Sequence, residues 1–176
     1  MLNRELILES LERLGELLKE RDMTGEILLT GGAAMCLVHS ARGMTMDVDA
    51  LYKPKQIINI LAKQIADEKG LADDWLNDGV KGFLTDNPPI DEFLVLDGLK
   101  VLTVAPEYLL AMKLFSARLG SKDLDDIQFL LNKLQVKSID DAISIIIEHF
   151  PEDRILPKTR YILEEFFTED EDITTL

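Results

Sequence analysis

Apolar residues recur at helical spacing near the start of the chain: Ile7, Leu11, Leu14 and Leu18, with Glu and Arg on the other faces. That spacing predicts an amphipathic first helix. The pattern then shortens. "EILLT" is a brief apolar run followed by Gly31-Gly32, which predicts a buried strand ending in a turn. "AAMCLVHS" has helix-forming composition, and "MDVDALY" alternates as a strand does. Pro54 suits the first position of a helix. That helix carries Ile57, Ile58, Leu61 and Ile65 and stops at Gly70.

The middle of the chain, "LADDWLNDGVKGFLTDNPPIDE", is irregular and predicts loops and short turns. Asp97-Gly98 between two apolar runs predicts a hairpin of Phe93–Leu96 and Leu99–Val104. From Pro106 the pattern is helical. One helix runs through Phe115, and a second is capped by Ser121 and buries Leu124, Ile127, Leu130, Leu131 and Leu134. Ser138 and Asp141 form the capping pattern before "AISIIIEHF", which Pro151 ends, and a last helix spans about Lys158 to Phe167. The fold expected is α+β. A small mixed sheet with flanking helices occupies residues 1–104, and a helical region, 105–176, packs on it as a single compact unit. No internal repeat or low-complexity linker interrupts the chain.

Composition narrows the function classes. At 176 residues the chain buries a core without disulfides or metals as staples, and its one cysteine, Cys36, reads as a small buried apolar residue. The net charge of −14 excludes general attraction to long nucleic acid, although a local basic site can still serve a nucleotide or an RNA end. The six acids of "EEFFTEDEDITTL" read as a solvated terminus. The charged start lacks the apolar core of a signal peptide, and no apolar run approaches the roughly 20 residues that cross a bilayer. A cytoplasmic protein is expected.

Candidate chemistry concentrates between Leu28 and Pro54. A strand that turns into a helix through Gly31-Gly32 brings backbone N–H groups to a helix start, and glycine lets a ligand approach them closely. Read alone, Gly-Gly at a strand-to-helix turn is most often only a tight turn. Asp47 and Asp49 add to it: on a strand, residues i and i+2 share a face, so two like charges stand together. The usual neutraliser is a divalent cation with oxygen ligands, Mg2+ above all or Mn2+; the alternative is a solvated strand end. Both carboxylates are expected in one cleft near the backbone N–H groups of Gly32 and Ala33. Arg42 either contacts phosphate or pairs with Asp49. Lys113 interrupts the apolar run "YLLAMKLFSA". It either pairs with Asp126 or a neighbour, or contacts the phosphate or the carboxylate pair. His39 reads as a helix-end or surface residue and His149 as a helix C-terminus residue.

The stretch "TGGAAMCLVHSARGMTMDVDALY" resembles the nucleotidyltransferase superfamily that includes DNA polymerase β, and more closely the minimal nucleotidyltransferase-like proteins related to AbiEii-type toxins. Gly31, Gly32, Ala34, Arg42, Thr45, Asp47 and Asp49 match that group's pattern. "PEYLLAMKLFSARLGSKDLDDIQFLL" also resembles it, through Lys113, Arg118, Asp123 and Asp126. The resemblance implies that Gly31, Gly32, Arg42, Thr45 and Lys113 bind an NTP. It implies that Asp47 and Asp49 are catalytic and hold Mg2+ or Mn2+, and that a nucleoside monophosphate passes to an RNA end, a protein hydroxyl or a small molecule. The sequence departs from the superfamily in one respect. The third carboxylate usual on a neighbouring strand is missing from "FLVL" and "LKVLTV", which leaves Asp78, Asp91 and Glu92, with Asp91 best if its strand begins at Ile90. The other reading is therefore a catalytically silent nucleotide- or protein-binding module, such as one component of a toxin–antitoxin pair.

Overall fold

A computed structural model of the chain describes residues 1–116 and 122–168. The chain divides into two units: Met1–Leu84 with Pro89–Val104, and Thr85–Pro88 with the chain from Ala105 onward.

The first unit opens with a two-residue strand, β1 (Leu2–Asn3), and the amphipathic helix α1 (Arg4–Lys19). Asn3 caps the helix, its Oδ1 accepting from the Leu6 N–H at 2.9 Å. The stripe Ile7, Leu11, Leu14, Leu17 and Leu18 is buried. Next come β2 (Gly25–Leu29), α2 (Gly31–Leu37), β3 (Met44–Thr45), β4 (Val48–Lys53), α3 (Lys55–Lys69), β5 (Leu76–Asn77), β6 (Ile90–Leu96) and β7 (Leu99–Val104). Five strands form a mixed sheet in the order β5-β4-β2-β7-β6, and β1 pairs with β3 in a second, two-stranded sheet. β2 is central, parallel to β7 and antiparallel to β4. One sheet face carries Ile27, Leu29, Val48, Ala50 and Val101, all buried in one cluster with the apolar residues of α1 and α3. With the helices below, this is the α+β architecture expected.

Three local differences from the sequence pattern have physical causes. Pro54 stands before α3 as its extended N-cap, not as its first residue. The irregular segment contains β5 and a 3-10 turn (Gly79–Phe83), and a two-residue strand is too short to show alternation. β6 extends back to Ile90 through polar, exposed residues, because edge-strand pairing to β7 does not require an apolar face there.

The hairpin turn is fixed by backbone contact with α1. Gly98 has φ +87, and a Cβ there would lie 2.4 Å from the Gly15 carbonyl oxygen. A Cβ on Gly15 would in turn lie 2.8 Å from the Asp97 carbonyl oxygen. Lys19 adds an ion pair to Asp97. Two bare residues thus let helix and turn touch where side chains would separate them.

The second unit contains α4 (Pro106–Ser116), α5 (Asp123–Lys133), α6 (Ile139–Ile147) and α7 (Pro157–Thr168). Tyr108, Leu109, Leu110, Leu114, Ile127, Leu130, Ile146, Ile162 and Leu163 are buried. Ser138 caps α6, its Oγ accepting from the Asp141 N–H at 3.1 Å. The cap expected at Ser121 lies outside the described residues, as does Arg118. The Thr85 N–H donates to Tyr108 Oη at 2.8 Å, which ties Thr85 to α4. Among the described residues no helix is long and apolar enough to cross a membrane.

Gly98→Ala is expected to destabilise the protein by about 1–3 kcal/mol, since it combines a left-handed backbone with a backbone clash. Gly82 has open space around it, and Gly82→Ala is expected to stay within about 0.5 kcal/mol of wild type. Urea melts of both variants check the contrast.

Candidate functional site

The apolar run of β2 ends at Leu29, and Thr30 turns the chain. Thr30 is fully buried. Its N–H and its Oγ1 both donate to the Asp49 carbonyl, at 3.0 and 3.1 Å. The glycine turn is therefore hydrogen-bonded to the backbone of the strand that carries Asp49. Gly31 follows with φ +53, and a Cβ there would lie 3.2 Å from Asp49 Oδ2. At Gly32 a Cβ would lie 2.6 Å from Thr45 Oγ1 and 3.2 Å from Arg42 Nη1. At both glycines neighbouring polar side chains take up the space a Cβ would need. Five of the residues read from the sequence thus meet here: Gly31, Gly32, Arg42, Thr45 and Asp49.

Asp47 stands one residue before β4 begins. Its Oδ2 accepts from Asn77 Nδ2 at 3.0 Å. Asn77 is the cross-strand partner of Asp49 in the parallel β4–β5 pairing. One asparagine therefore stands opposite one aspartate and is hydrogen-bonded to the other. Both aspartates are half-buried.

Several elements hold this arrangement. The Val48 N–H donates to the Trp75 carbonyl at 2.7 Å, immediately after Asp47. Trp75 is buried, and its Nε1–H donates to the Ala62 carbonyl of α3 at 2.9 Å. The β1–β3 pairing, with Leu2 opposite Thr45, fixes the loop before Asp47 to the start of α1. Below the turn, burial pushes the Cys36 thiol up from its ordinary value, while the positive charges of Arg42 and Arg4 act the other way. Sequence reading did not single out Thr30, Trp75 or Asn77. Only Asn77 carried a local signal, the Asn-Asp-Gly turn composition of "WLNDG".

The three acids considered for a third carboxylate are otherwise engaged or distant. Asp78 pairs with Lys55, and that hydrogen bond holds its carboxyl below its ordinary value. β6 does begin at Ile90, yet Asp91 is in register with Thr103, Thr103 with Leu29, and Leu29 with Ala50. Paired residues share a face, so Asp91 belongs to the face opposite Asp49. Glu92 shares the face of Asp49 but pairs with Lys100 at 3.0 Å. Both lie on β6, three strands from β4, roughly 14 Å at the usual strand spacing. Among the described residues no group of three or more His, Cys, Asp or Glu side chains stands together for a metal ion. The two carboxylates themselves, hard oxygen donors beside a Cβ-free cradle, are of the type that suits Mg2+ or Mn2+.

Lys113 belongs to the second unit. Its Nζ lies 2.6 Å from Asp123 Oδ1 and 2.8 Å from Asp126 Oδ2. Lys113 and Asp126 are both buried. This is the pairing alternative open to it in the sequence. His149 lies just past α6 with its ring edge-on to Tyr108, centroids 5.0 Å apart, and His39 is half-buried just past α2.

The site is thus framed by a strand, a short helix opened by Gly31-Gly32, and a strand entered through Asp47 and Asp49. A family model described as "Nucleotidyltransferase of unknown function (DUF6036)" matches residues 7–156, and the chain belongs to that family. The match spans both units and every candidate residue above. No curated protein and no solved structure matches the chain.

Lys113→Met is expected to lower stability by roughly 3–5 kcal/mol, because it strips the cation from a buried carboxylate. Lys113→Met/Asp126→Leu, which removes that carboxylate too, is expected to recover much of the loss. Denaturant melts of the two variants check this.

Proposed function

We propose that the chain is a nucleotidyltransferase that moves a nucleoside monophosphate from an NTP to an acceptor hydroxyl. One observation carries the reading: because Gly31 and Gly32 have no side chains, Asp49 Oδ2, Thr45 Oγ1 and Arg42 Nη1 come close against the backbone of the turn. In this reading the bare glycine backbone admits the phosphates, with Arg42 and Thr45 alongside. Asp47 and Asp49 would hold Mg2+ or Mn2+. Bound there, the cation supplies neutralisation of the charge that develops on the transferred phosphoryl group and the leaving pyrophosphate. The acceptor hydroxyl oxygen would form a bond to the α-phosphorus and lose its proton to solvent water, while the bond from that phosphorus to pyrophosphate breaks. The acceptor hydroxyl would belong to an RNA end, a protein or a small molecule. Lys113 needs no part in this reading, since Asp123 and Asp126 account for its charge.

A second reading, a catalytically silent binding module such as a toxin–antitoxin component, draws on the remoteness of Asp91 and Glu92 from the aspartate pair. The enzyme turns an NTP over, whereas the silent module binds a nucleotide or a partner protein without turnover.

Mg2+ together with an NTP is expected to raise Tm by roughly 5–10 °C at a hundredfold excess over Kd, because the ligand binds only the folded state. Asp47→Asn is expected to abolish the shift. Incubating the protein with Mg2+, each labelled NTP and a cell extract then tests transfer. Label on a macromolecule with wild type but not with Asp47→Asn supports the enzyme. A shift without label supports a silent nucleotide-binding module, and no shift with any NTP contradicts both the enzyme and nucleotide binding, which leaves the protein-binding module.

A further inference from the structure

We infer that Asn77 is a positioning residue for Asp47, an inference that rests on the nucleotide-and-metal reading of the site. The orientation of its amide is determined from both ends. Asn77 Oδ1 accepts from the Gly79 N–H at 2.9 Å, so its Nδ2 is the end that faces Asp47 Oδ2. A backbone N–H can only donate, so a flipped amide would set two donors against each other at Gly79. The asparagine backbone is fixed in turn by its parallel pairing with Asp49. Trp75, two residues earlier, anchors the same strand to α3.

Asp47 needs such a support more than Asp49 does. Asp49 lies within β4, whereas Asp47 precedes the first ladder residue and has no strand pairing of its own. The donor at residue 77 is also of a particular kind. A neutral amide fixes one carboxylate oxygen of Asp47 and leaves that residue's negative charge in place. A lysine at residue 77 would neutralise Asp47, and an acid would repel it. Partners that orient metal-ligating carboxylates in this way typically contribute ten- to a hundredfold in metal affinity.

Titrating Mn2+ in the presence of ATP, and then of each other NTP, tests this by the loss of the free-ion electron paramagnetic resonance signal. The proteins are wild type, Asn77→Ala and Asp47→Asn, each read well below its own Tm so that a destabilised variant is still folded. Asn77→Ala is expected to weaken Mn2+ binding about tenfold or more, with Asp47→Asn binding no tighter than Asn77→Ala. In 15N-labelled wild type without ligand, one Asn77 side-chain proton is expected downfield and slow to exchange, and Asp47→Ala is expected to return it to the position of a solvated amide. Wild-type binding with Asn77→Ala within twofold of it overturns the role of Asn77 while leaving the nucleotide reading intact. Absence of binding by wild type with every NTP overturns that reading and this inference together.

Discussion

The candidate site depends on one constraint: residues 31 and 32 have no side chains, and the turn they make is bonded to the strand that bears Asp49. Thr30 enforces this with two donors on a single carbonyl, both from a fully buried residue. A Cβ at residue 31 would press on the Asp49 carboxylate, and one at residue 32 would overlap Thr45 Oγ1. The glycines therefore do more than allow a tight turn. They let a carboxylate, a hydroxyl and a guanidinium approach the backbone of the turn closely, and the left-handed backbone of Gly31 is part of the same geometry. The same device, bare backbone against bare backbone, holds α1 to the β6–β7 turn through Gly15 and Gly98.

The two units treat clustered carboxylates in opposite ways. In the second unit Asp123 and Asp126 converge on the Lys113 ammonium, so the protein itself supplies the countercharge inside the fold. In the first unit Asp47 receives a neutral amide from Asn77, which orients a carboxylate without cancelling its charge. An arrangement of the first kind is self-contained. In the other, the charge of Asp47 is left in place by its asparagine partner, and this difference is the physical reason for seeking nucleotide chemistry beside it.

Much of this was legible in the sequence where local rules dominate. The stripe of α1 follows from 3.6-residue periodicity, the hairpin from Asp97-Gly98, and the α6 cap from Ser138 and Asp141. Gly31, Gly32 and the Asp-x-Asp pair stood out because glycines after an apolar run and like charges two residues apart are each costly without a purpose. What stayed hidden depends on pairings between distant segments. β5 and the β1–β3 pair have two residues per strand and no alternation to read. Asn77 gains meaning only from lying opposite Asp49, twenty-eight residues earlier in the chain. Trp75 looked like an isolated aromatic in a loop, yet its ring N–H and its carbonyl fix α3 and β4 on either side. Asp91 shows the reverse error: its strand does begin at Ile90, but register assigns it to the other face, and register is not visible in a single strand.

The central claim is that Asp47 and Asp49 act together on one cation at the glycine turn. The most direct measurement is a crystal structure of the wild-type protein grown with Mn2+ and a non-hydrolysable NTP analogue, with data collected at the manganese absorption edge. The account predicts an anomalous peak bonded to carboxylate oxygens of both Asp47 and Asp49, with the analogue's phosphates against Gly31 and Gly32. A peak elsewhere, or the two carboxylates turned to opposite faces of β4 with the analogue bound at another place, would contradict it.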